Sequence, residues 1–305
     1  MLVSVIICTH NPREHYLQRT LQALQQQSLP LTHWELLLID NASSAPVSYR
    51  FDIGWHPYGQ HIREMELGLT PARLRGIKES QAPILIFVDD DNLLSPNYLE
   101  TAIQILHQNN SLGALGGRIQ GEYEIPCPDW LVEHTSLLAV RDVSHSLWSH
   151  QYDWESTPVG AGLVIRKNIA QAYAKTIENE AKEKRLDRQG TNTMGGGDID
   201  LAYTAIDMQY AIGRFTEIAL THLIPKERLQ LSYILKLSEG AAFSQVLLAS
   251  KRKATSLSKT TKTSTPLLRK IKLAIRPPFA AIRMMFAWKR GIAKGKKFLR
   301  ESSLS

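Results

Sequence analysis

The sequence predicts an α/β protein with a central, mostly parallel sheet flanked by helices. Three observations support this fold class: short continuous apolar runs, helical apolar spacing between them, and polar residues directly after each run. Continuous apolar strands are typical of a sheet that is buried on both faces, as parallel sheets are. The 305 residues are enough for one such domain and an appendage.

The first hundred residues alternate between strand and helix patterns. Each strand is a short apolar run that stops at polar or turn-forming residues, and the three are 3–8, 36–39 and 84–88. Leu17, Leu21 and Leu24 have the spacing of one helix, and residues 71–80 form the next. Because ligands bind at the carboxyl ends of parallel strands, the polar residues after these strands are candidates for a binding site.

The remainder of the chain has weaker periodicity. Its predicted elements are a strand at 159–165, a charged helix at 169–187, a strand at 218–224 and an amphipathic helix through Ala249. Residues 118–158 have no clear period and are rich in Trp, Tyr and His, whose rings can stack on a ligand or fill the core. A low-complexity Ser/Thr/Lys linker follows at 250–265. We therefore divide the chain into a body at 1–249, this linker, and a basic amphipathic tail at 266–305.

The charge of +7 is distributed unevenly. Residues 251–301 contain 16 Lys and Arg against one acid, which leaves 20 basic and 28 acidic residues in 1–250. An acidic body does not favour nucleic acid. The tail, with Phe279, Phe286 and Trp288 among its basic residues, suits an anionic membrane surface. The alternative is a disordered or protein-binding tail, and nucleic acid is the least favoured partner. Pro277-Pro278 breaks this segment, so at most two short helices are expected in the tail.

Cysteine and hydropathy patterns exclude several protein classes. Two cysteines, Cys8 and Cys127, exclude a disulfide framework and a Cys-based zinc site, and Cys8 is expected to be a buried free thiol. The N-terminus lacks a basic n-region, and no apolar run approaches the ~20 residues that span a bilayer. A cytoplasmic protein, peripheral at the inner face of the membrane through its tail, is expected.

Three adjacent carboxylates, Asp89, Asp90 and Asp91, follow the third predicted strand. Their mutual repulsion needs relief from a cation or from solvent, and hard divalent cations prefer oxygen ligands. Mg²⁺ or Mn²⁺ bound here would bridge a carboxylate to a diphosphate. The alternative is a solvated acidic loop, or a helix cap at Asn92 or Ser95.

A second candidate site follows a triple-glycine loop, Gly195-Gly196-Gly197. Glycine lets the backbone approach a ligand, and Asp198 or Asp200 just beyond the loop could act as a general base. The alternative is a flexible loop whose Asp198 caps a helix. A third candidate is His222, which lies at a strand end; a lone histidine is more often structural than a ligand.

Taken together, these strings resemble the family 2 glycosyltransferases of GT-A fold. The ordered motifs are Thr-His-Asn, Asp-Asn-Ala-Ser, Gly-Leu-Thr-Pro-Ala-Arg-Leu-Arg-Gly-Ile, Phe-Val-Asp-Asp-Asp, Gly-Ala-Gly-Leu-Val-Ile-Arg-Lys, Gly-Asp-Ile-Asp-Leu and His-Leu-Ile-Pro-Lys-Glu-Arg. The resemblance covers about residues 2–249. It implies a Rossmann-like catalytic domain over 1–249.

The resemblance also implies roles for individual residues. Donor binding is assigned to Thr9 at the base pocket, Asp40 on the base, Arg73 near the nucleotide, and Asp89 and Asp90. Asp89 and Asp91 match the outer members of the DxD motif, which hold the ribose and the divalent metal. The metal would be held by Asp91, Asp89 and His222. Asp198 matches the catalytic base, but the family's Glu before it is Gly197 here, so Asp200 stays open as the base.

The implied function is inverting transfer of a sugar from a nucleotide-diphosphate sugar, with a UDP-sugar expected, in the presence of Mn²⁺ or Mg²⁺. The acceptor would be a hydroxyl of a saccharide or a lipid-linked molecule, as in cell-surface polysaccharide synthesis. One alternative is a metal-dependent nucleotidyl or phosphoryl transferase, although the sequence contains no G-x-x-x-x-G-K-[ST] string and no G-x-G-x-x-G string that opens a helix. Another is a catalytically inactive nucleotide-sugar-binding protein. The sequence predicts neither the donor sugar nor the oligomeric state.

Overall fold

The computed structural model describes residues 1–180, 186, 195–252 and 279–302. The described residues belong to two compact units. The first unit is drawn from Met1–Glu122, Ala139–Gly190 and Gly197–Leu223. The second is drawn from Tyr123–Leu138, Thr191–Gly196 and Ile224–Ser305.

A mixed sheet forms the centre of the first unit. In chain order, its strands are β1 (Val3–Thr9), β2 (Trp34–Asn41), β3 (Gly59–Glu64), β4 (Ile84–Asp89), β5 (Asn92–Leu94), β6 (Leu112–Tyr123), β7 (Leu147–Ser149), β8 (Leu163–Arg166) and β9 (Ala211–Ile224). Their spatial order is β3-β2-β1-β4-β8-β6-β9-β5, with β7 paired to β9. Strands β3, β2, β1 and β4 are parallel, whereas β8 is antiparallel to β4 and β6, and β5 is antiparallel to β9.

Helices accompany these strands. Those of the first unit are α1 (Glu14–Gln25), α2 (Leu69–Glu79), α3 (Tyr98–Gln108), α4 (Lys167–Glu178) and α5 (Gly197–Asp207). Every residue of β2 is buried, and β1 and β4 are buried except at one position each near their carboxyl ends. The near-continuous apolar runs are therefore explained by a sheet covered on both faces. The predicted α/β class, with a Rossmann-like sheet flanked by helices, is confirmed.

Several predicted boundaries differ from the observed ones. The strand predicted at 159–165 begins only at Leu163, because the chain turns at Gly162, whose φ is +70°. The helix predicted at 169–187 is α4, which ends at Glu178; residues 181–185 and 187 lie outside the described part of the chain. The strand predicted at 218–224 begins earlier, at Ala211.

The helices of the second unit are α6 (Leu231–Lys251) and α7 (Phe279–Ser302), which pack against each other. Small residues of α7 make a close approach possible, since a Cβ built on Gly291 would lie 2.1 Å from the carbonyl oxygen of Glu239. Arg290 and Lys294 also pair with the Glu239 carboxylate. The predicted basic helical tail is thus confirmed over 279–302.

Other predictions for the C-terminal region fall outside the described residues. Most of the predicted linker and residues 266–278 of the tail lie there, including Pro277-Pro278, while 250–251 belong to α6. The division into 1–249, 250–265 and 266–305 stays a prediction. Among the described helices, none is long and apolar enough to cross a membrane.

Candidate active site

The carboxyl ends of β2, β1 and β4 bring three predicted site residues to one edge of the sheet. The strand register pairs Thr9 with Asp40 and Cys8 with Asp89. Neighbouring parallel strands end at the same edge, so residues far apart in sequence become neighbours there. This is the edge at which the sequence predicted a ligand site.

The three consecutive aspartates after β4 have different partners. The backbone N–H of Asp89 donates to Oδ1 of Asn92 at 3.3 Å, and Nδ2 of Asn92 donates to Oδ1 of Asp91 at 3.0 Å. The hydroxyl of Thr9 donates a short hydrogen bond to Asp90. Asn92 is fully buried, and its side chain bonds both the backbone N–H of Asp89 and the carboxylate of Asp91. The sequence did not reveal this role of Asn92.

Asp91 and His222 meet because β5 is antiparallel to β9. The register pairs Asn92 with His222, and the Leu223 N–H donates to the Asp91 carbonyl oxygen at 2.8 Å. As a result, Nε2 of His222 lies 3.4 Å from Oδ2 of Asp91. Two side chains predicted as metal ligands, 131 positions apart in the sequence, are thus within reach of one cation.

The donor chemistry of this pair suits a divalent cation. Ligands bound to one Mn²⁺ or Mg²⁺ at roughly 2.1 Å each lie about 3 Å apart, close to the observed separation. Within the part of the chain that the structure describes, no group of three His, Cys, Asp or Glu side chains converges as a metal site. A cation held by Asp91 and His222 would need further ligands, which phosphate oxygens of a substrate can supply, as is common for Mg²⁺.

Asp40, predicted to bind the nucleotide base, is 4% exposed and organises the loop after β2. Its Oδ1 accepts from the Ser43 N–H at 3.0 Å, and its Oδ2 accepts from the Val47 N–H at 3.2 Å. Nη1 of Arg63 lies 3.8 Å from the same Oδ2, and Nη2 of Arg63 donates to the Ser43 carbonyl at 2.8 Å. The Asp40 carboxylate therefore stabilises the loop after β2 by accepting hydrogen bonds from two of its backbone N–H groups.

Asp198 and Asp200 lie in the first turn of α5 but in different surroundings. Oδ2 of Asp198 accepts a hydrogen bond from the Gly160 N–H at 2.7 Å. Asp200 is only 4% exposed, and its carbonyl oxygen accepts from the Thr204 hydroxyl at 3.0 Å. Positions two apart on a helix point about 200° from each other, so only one of the two carboxylates can face a given ligand. Asp198 is the more exposed of the two.

Gly197 is tightly enclosed. A Cβ built there would lie 2.6 Å from the carbonyl oxygen of Leu186, with the Thr70 and Tyr173 hydroxyl oxygens at 3.5 and 3.7 Å. The glycine that replaces the family's glutamate therefore fits its surroundings, because even an alanine would require a backbone shift.

Arg73 lies on α2 and is 6% exposed. Burial opposes its charge, but the carboxylates of Asp198 and Asp89 outweigh that effect and raise the pKa of the guanidinium. Its guanidinium carbon also lies 6.0 Å from the centre of the Phe87 ring, in a cation–π arrangement. Arg73 is therefore a buried cation that interacts electrostatically with both Asp198 and Asp89.

Comparison with known protein families identifies a similarity to glycosyltransferases. The family model described as glycosyl transferase family 2 matches residues 4–131, which include β1, β2, β4 and the aspartates after it. Over these residues the chain is similar to members of glycosyl transferase family 2. The match ends before Gly160, Asp198 and His222, so the similarity covers the ends of β1, β2 and β4 and not the second half of the candidate site.

Three curated proteins are similar in sequence to parts of this chain. It is 28% identical to glycosyltransferase AglE of Haloferax volcanii over 124 residues, 40% of each chain. It is 24% identical to the glucosyl-dolichyl phosphate glucuronosyltransferase of the same organism over 139 residues, 43% of this chain and 40% of that one. A putative polypeptide N-acetylgalactosaminyltransferase 9 of Drosophila melanogaster is 23% identical over 218 residues, 65% of this chain and 32% of that one. The chain spans well under half the length of each.

The contact between Gly160 and Asp198 was not predicted from the sequence. Gly160 belongs to the Gly-Ala-Gly-Leu string that follows the irregular segment, but no role was attached to it. Its N–H is the donor to Asp198, and a Cβ on it would lie 2.6 Å from Nη2 of Arg73. A glycine between an apolar turn and a strand is the signal that a close approach of this kind leaves in a sequence.

The aromatic residues of the irregular segment have separate surroundings. Trp148 is 58% exposed and stacks on Phe215 with an interplanar angle of 4°. The Trp154 ring lies 4.4 Å from the guanidinium carbon of Arg141. Of these two rings, Trp148 is the more exposed to solvent.

Proposed function

We propose that the protein is an inverting glycosyltransferase that moves a sugar from a nucleotide-diphosphate sugar to a hydroxyl of an acceptor. The observation that carries this proposal is the arrangement of carboxylates in the first unit. Asp89 ends β4, Asp90 and Asp91 follow it, and the buried Arg73 interacts electrostatically with both Asp89 and Asp198. A donor-side carboxylate cluster and a separate, single carboxylate base are what inverting transfer requires.

On the acceptor side, Asp198 accepts the proton of the attacking hydroxyl. The acceptor oxygen forms a bond to the sugar C1 while the bond from C1 to the diphosphate oxygen breaks, and the proton passes to the Asp198 carboxylate. Attack from the side opposite the leaving group inverts the configuration at C1. One carboxylate is then sufficient, whereas glycoside hydrolysis uses two.

On the donor side, Asp91 and His222 would hold Mn²⁺ or Mg²⁺, with Asp89 as the third residue that the family resemblance assigns to the metal. A bound divalent cation supplies Lewis-acid stabilisation of the charge that grows on the leaving diphosphate. Thr9, Asp40, Arg73, Asp89 and Asp90 are the residues we assign to the nucleotide side. Thr9 and Asp90 already hold each other through a hydrogen bond, which gives this side a fixed shape before the donor binds.

The donor is expected to be a UDP-sugar and the acceptor a saccharide or lipid-linked molecule, as in cell-surface polysaccharide synthesis. The name of one Haloferax volcanii relative, a glucosyl-dolichyl phosphate glucuronosyltransferase, supports a lipid-linked acceptor. That relative matches under half of this chain, so the support concerns the class of acceptor only.

We further propose that the protein docks peripherally on the inner, anionic face of a membrane through α7. The face opposite the packed small residues exposes Phe279, Ile282, Met285 and Phe286. Residues 279–302 carry seven Lys and Arg against one Glu, and Arg283 and Lys289 flank the Phe279 and Phe286 rings at 5.5 and 5.9 Å. An apolar stripe edged by cations suits the interface of an anionic bilayer.

Replacing Phe279 and Phe286 together with Ser is expected to weaken binding to vesicles containing anionic lipid by at least about 10-fold. The reason is that each buried aromatic side chain contributes on the order of 1.5–3 kcal/mol. Co-sedimentation measures the effect, and Tyr49→Ser is the matched control because Tyr49 is 84% exposed in the first unit. Unchanged binding of the double variant would contradict the docking proposal, as would equal binding to neutral vesicles.

A donor panel tests the proposed activity. The purified protein with Mn²⁺ is incubated with UDP- and GDP-linked glucose, galactose, N-acetylglucosamine, mannose and glucuronic acid, and the released nucleotide is identified. Release of a nucleoside diphosphate is expected for at least one donor, with water as a slow acceptor. Release of a nucleoside monophosphate would indicate nucleotidyl or phosphoryl transfer. Binding without any release would indicate a nucleotide-sugar-binding protein.

A further inference from the structure

The segment of residues 154–160 contacts α5, the helix that carries Asp198, at two points. The Gly160 N–H donates to Oδ2 of Asp198 at 2.7 Å. The hydroxyl oxygens of Thr157 and Tyr203 lie 3.3 Å apart, within hydrogen-bond distance. The two positions on α5 are five residues apart, which is about 7.5 Å along the helix axis. The segment therefore contacts both the first turn and the middle of this helix.

Two buried arginines hold the backbone of the segment. Nη1 of Arg141 donates to the Thr157 carbonyl oxygen at 2.7 Å, and Nη2 of Arg141 donates to the Trp154 carbonyl oxygen at 2.9 Å. Nε of Arg214 donates to the carbonyl oxygen of Glu155 between them. The guanidinium of Arg141 thus bonds two carbonyl groups at once, which its planar fork of N–H donors makes possible.

The Arg141 backbone is itself fixed to the sheet. Its N–H donates to the Ile119 carbonyl oxygen at 3.0 Å, and its own carbonyl oxygen accepts from the Ile119 N–H at 2.9 Å; Ile119 belongs to β6. Burial, together with the nearby Arg214, lowers the pKa of Arg141 to about 10, so its guanidinium is still charged at neutral pH. Hydrogen bonds from a charged donor are stronger than those between neutral groups. Arg141 therefore connects the segment firmly to the sheet.

Of the three carbonyl groups held in this way, that of Thr157 is the nearest along the chain to Gly160. Only two residues lie between them, and the first is Pro158, whose ring fixes its φ. Each peptide unit is planar, so few backbone torsions separate the Thr157 carbonyl from the Gly160 N–H. A restraint on Thr157 therefore restricts the direction of the N–H that holds the Asp198 carboxylate.

We infer that Arg141 is a positioning residue for the proposed general base. It fixes residues 154–160 through their carbonyl oxygens, and the Gly160 N–H of that segment orients the Asp198 carboxylate. This inference rests on the proposed function, in which Asp198 is the base. Because Arg141 is buried and acts through the backbone, its loss should lower the rate of the chemical step, which depends on an aligned base, and leave donor affinity nearly unchanged.

The test compares Arg141→Met and Arg141→Lys with the control Arg118→Met. Arg118 lies on β6 next to Ile119, but its side chain is 39% exposed and pairs with Asp142 on the surface. Single-turnover rates are measured with the fastest donor of the panel, and affinity is measured by calorimetry with the matching nucleoside diphosphate and Mn²⁺. Arg141→Met is expected to reduce the rate by about 10–100-fold with affinity changed less than about 3-fold. Arg141→Lys should lose less, and Arg118→Met should match the parent.

A double-variant cycle with Asp198→Asn distinguishes positioning from a general weakening of the fold. The asparagine oxygen can still accept the Gly160 N–H, but the side chain no longer serves as a base. Arg141→Met should therefore slow the Asp198→Asn protein by no more than about 2-fold. An equal loss in both backgrounds, or a loss confined to affinity, overturns the inference.

A second variant covers the case in which Arg141→Met does not fold, as judged by its thermal melt. The Arg141→Lys cycle then decides, because lysine keeps the charge but cannot donate from a planar fork to two carbonyl groups. A loss of about 3–10-fold is expected in the parent background, and no more than about 2-fold in the Asp198→Asn background. Equal rates of Arg141→Lys and the parent would then overturn the inference.

Failure of the proposed function has a different signature. Absence of nucleoside diphosphate release by the parent overturns the proposed activity itself. Release by Asp198→Asn at the parent's rate overturns the base assignment, and with it this inference. A normal defect in Asp198→Asn with an unaffected Arg141→Met overturns only the positioning role.

Discussion

Asp198→Asn is expected to slow sugar transfer by about 10²–10⁴-fold, the usual contribution of a positioned general base. The corresponding loss of transition-state stabilisation is roughly 3–5 kcal/mol. Asparagine keeps the size of the side chain, and its amide oxygen can still accept the Gly160 N–H, so the fold should be preserved. Single-turnover kinetics should show the loss in rate, and calorimetry should show unchanged nucleoside diphosphate affinity.

Asp200→Asn is the matched comparison for this prediction. Asp200 occupies the same helical turn, but it is buried at 4% exposure and points away from the direction of Asp198. Its replacement should reduce the rate far less than that of Asp198. A larger loss at Asp200 would show that it, and not Asp198, is the base.

Asp91→Ala is expected to weaken the Mn²⁺-dependent part of nucleoside diphosphate binding by at least about 100-fold, since even indirect partners of a metal contribute 10–100-fold. The reason is that Asp91 provides one of two side chains that meet at 3.4 Å, and His222 alone would be left. Calorimetry with and without Mn²⁺ measures the difference. The affinity of Asp91→Ala for the nucleoside diphosphate without Mn²⁺ should differ little from that of the parent.

The control for Asp91→Ala is Asp142→Ala. Asp142 is a carboxylate of the first unit whose side chain is 78% exposed and which pairs with Arg118 on the surface. A surface pair of this kind contributes little, so the control should bind as the parent does. If Asp91→Ala kept full Mn²⁺-dependent affinity, the cation would have to bind elsewhere or play no part in donor binding.

The sequence predicted the parallel half of the sheet because its strands are buried on both faces and so read as unbroken apolar runs. It did not predict β3, whose residues are all exposed or half-buried and whose apolar content is low. It also placed the start of β8 too early. An apolar residue such as Val159 fits a buried loop as well as a strand, and only the turn at Gly162 distinguishes them.

The candidate site was predicted as single residues and not as contacts. The strand-end rule indicated Asp89, Asp90 and Asp91, because their position follows from local sequence alone. The meeting of Asp91 with His222 depends on an antiparallel pairing between β5, three residues long, and β9, for which no local pattern exists. The hydrogen bond from the Gly160 N–H to Asp198 likewise joins two distant segments, so only the folded chain reveals it.

The configuration of the first-formed sugar tests the central claim most directly. A nucleotide sugar whose sugar is α-linked to the diphosphate is hydrolysed by the protein with Mn²⁺. The anomeric proton of the released sugar is followed by NMR before mutarotation. For an inverting transfer, we expect the β-anomer to appear first, in step with the nucleoside diphosphate, and Asp198→Asn to slow both together. First formation of the α-anomer, or release of a nucleoside monophosphate, would contradict an inverting transfer with Asp198 as its single base.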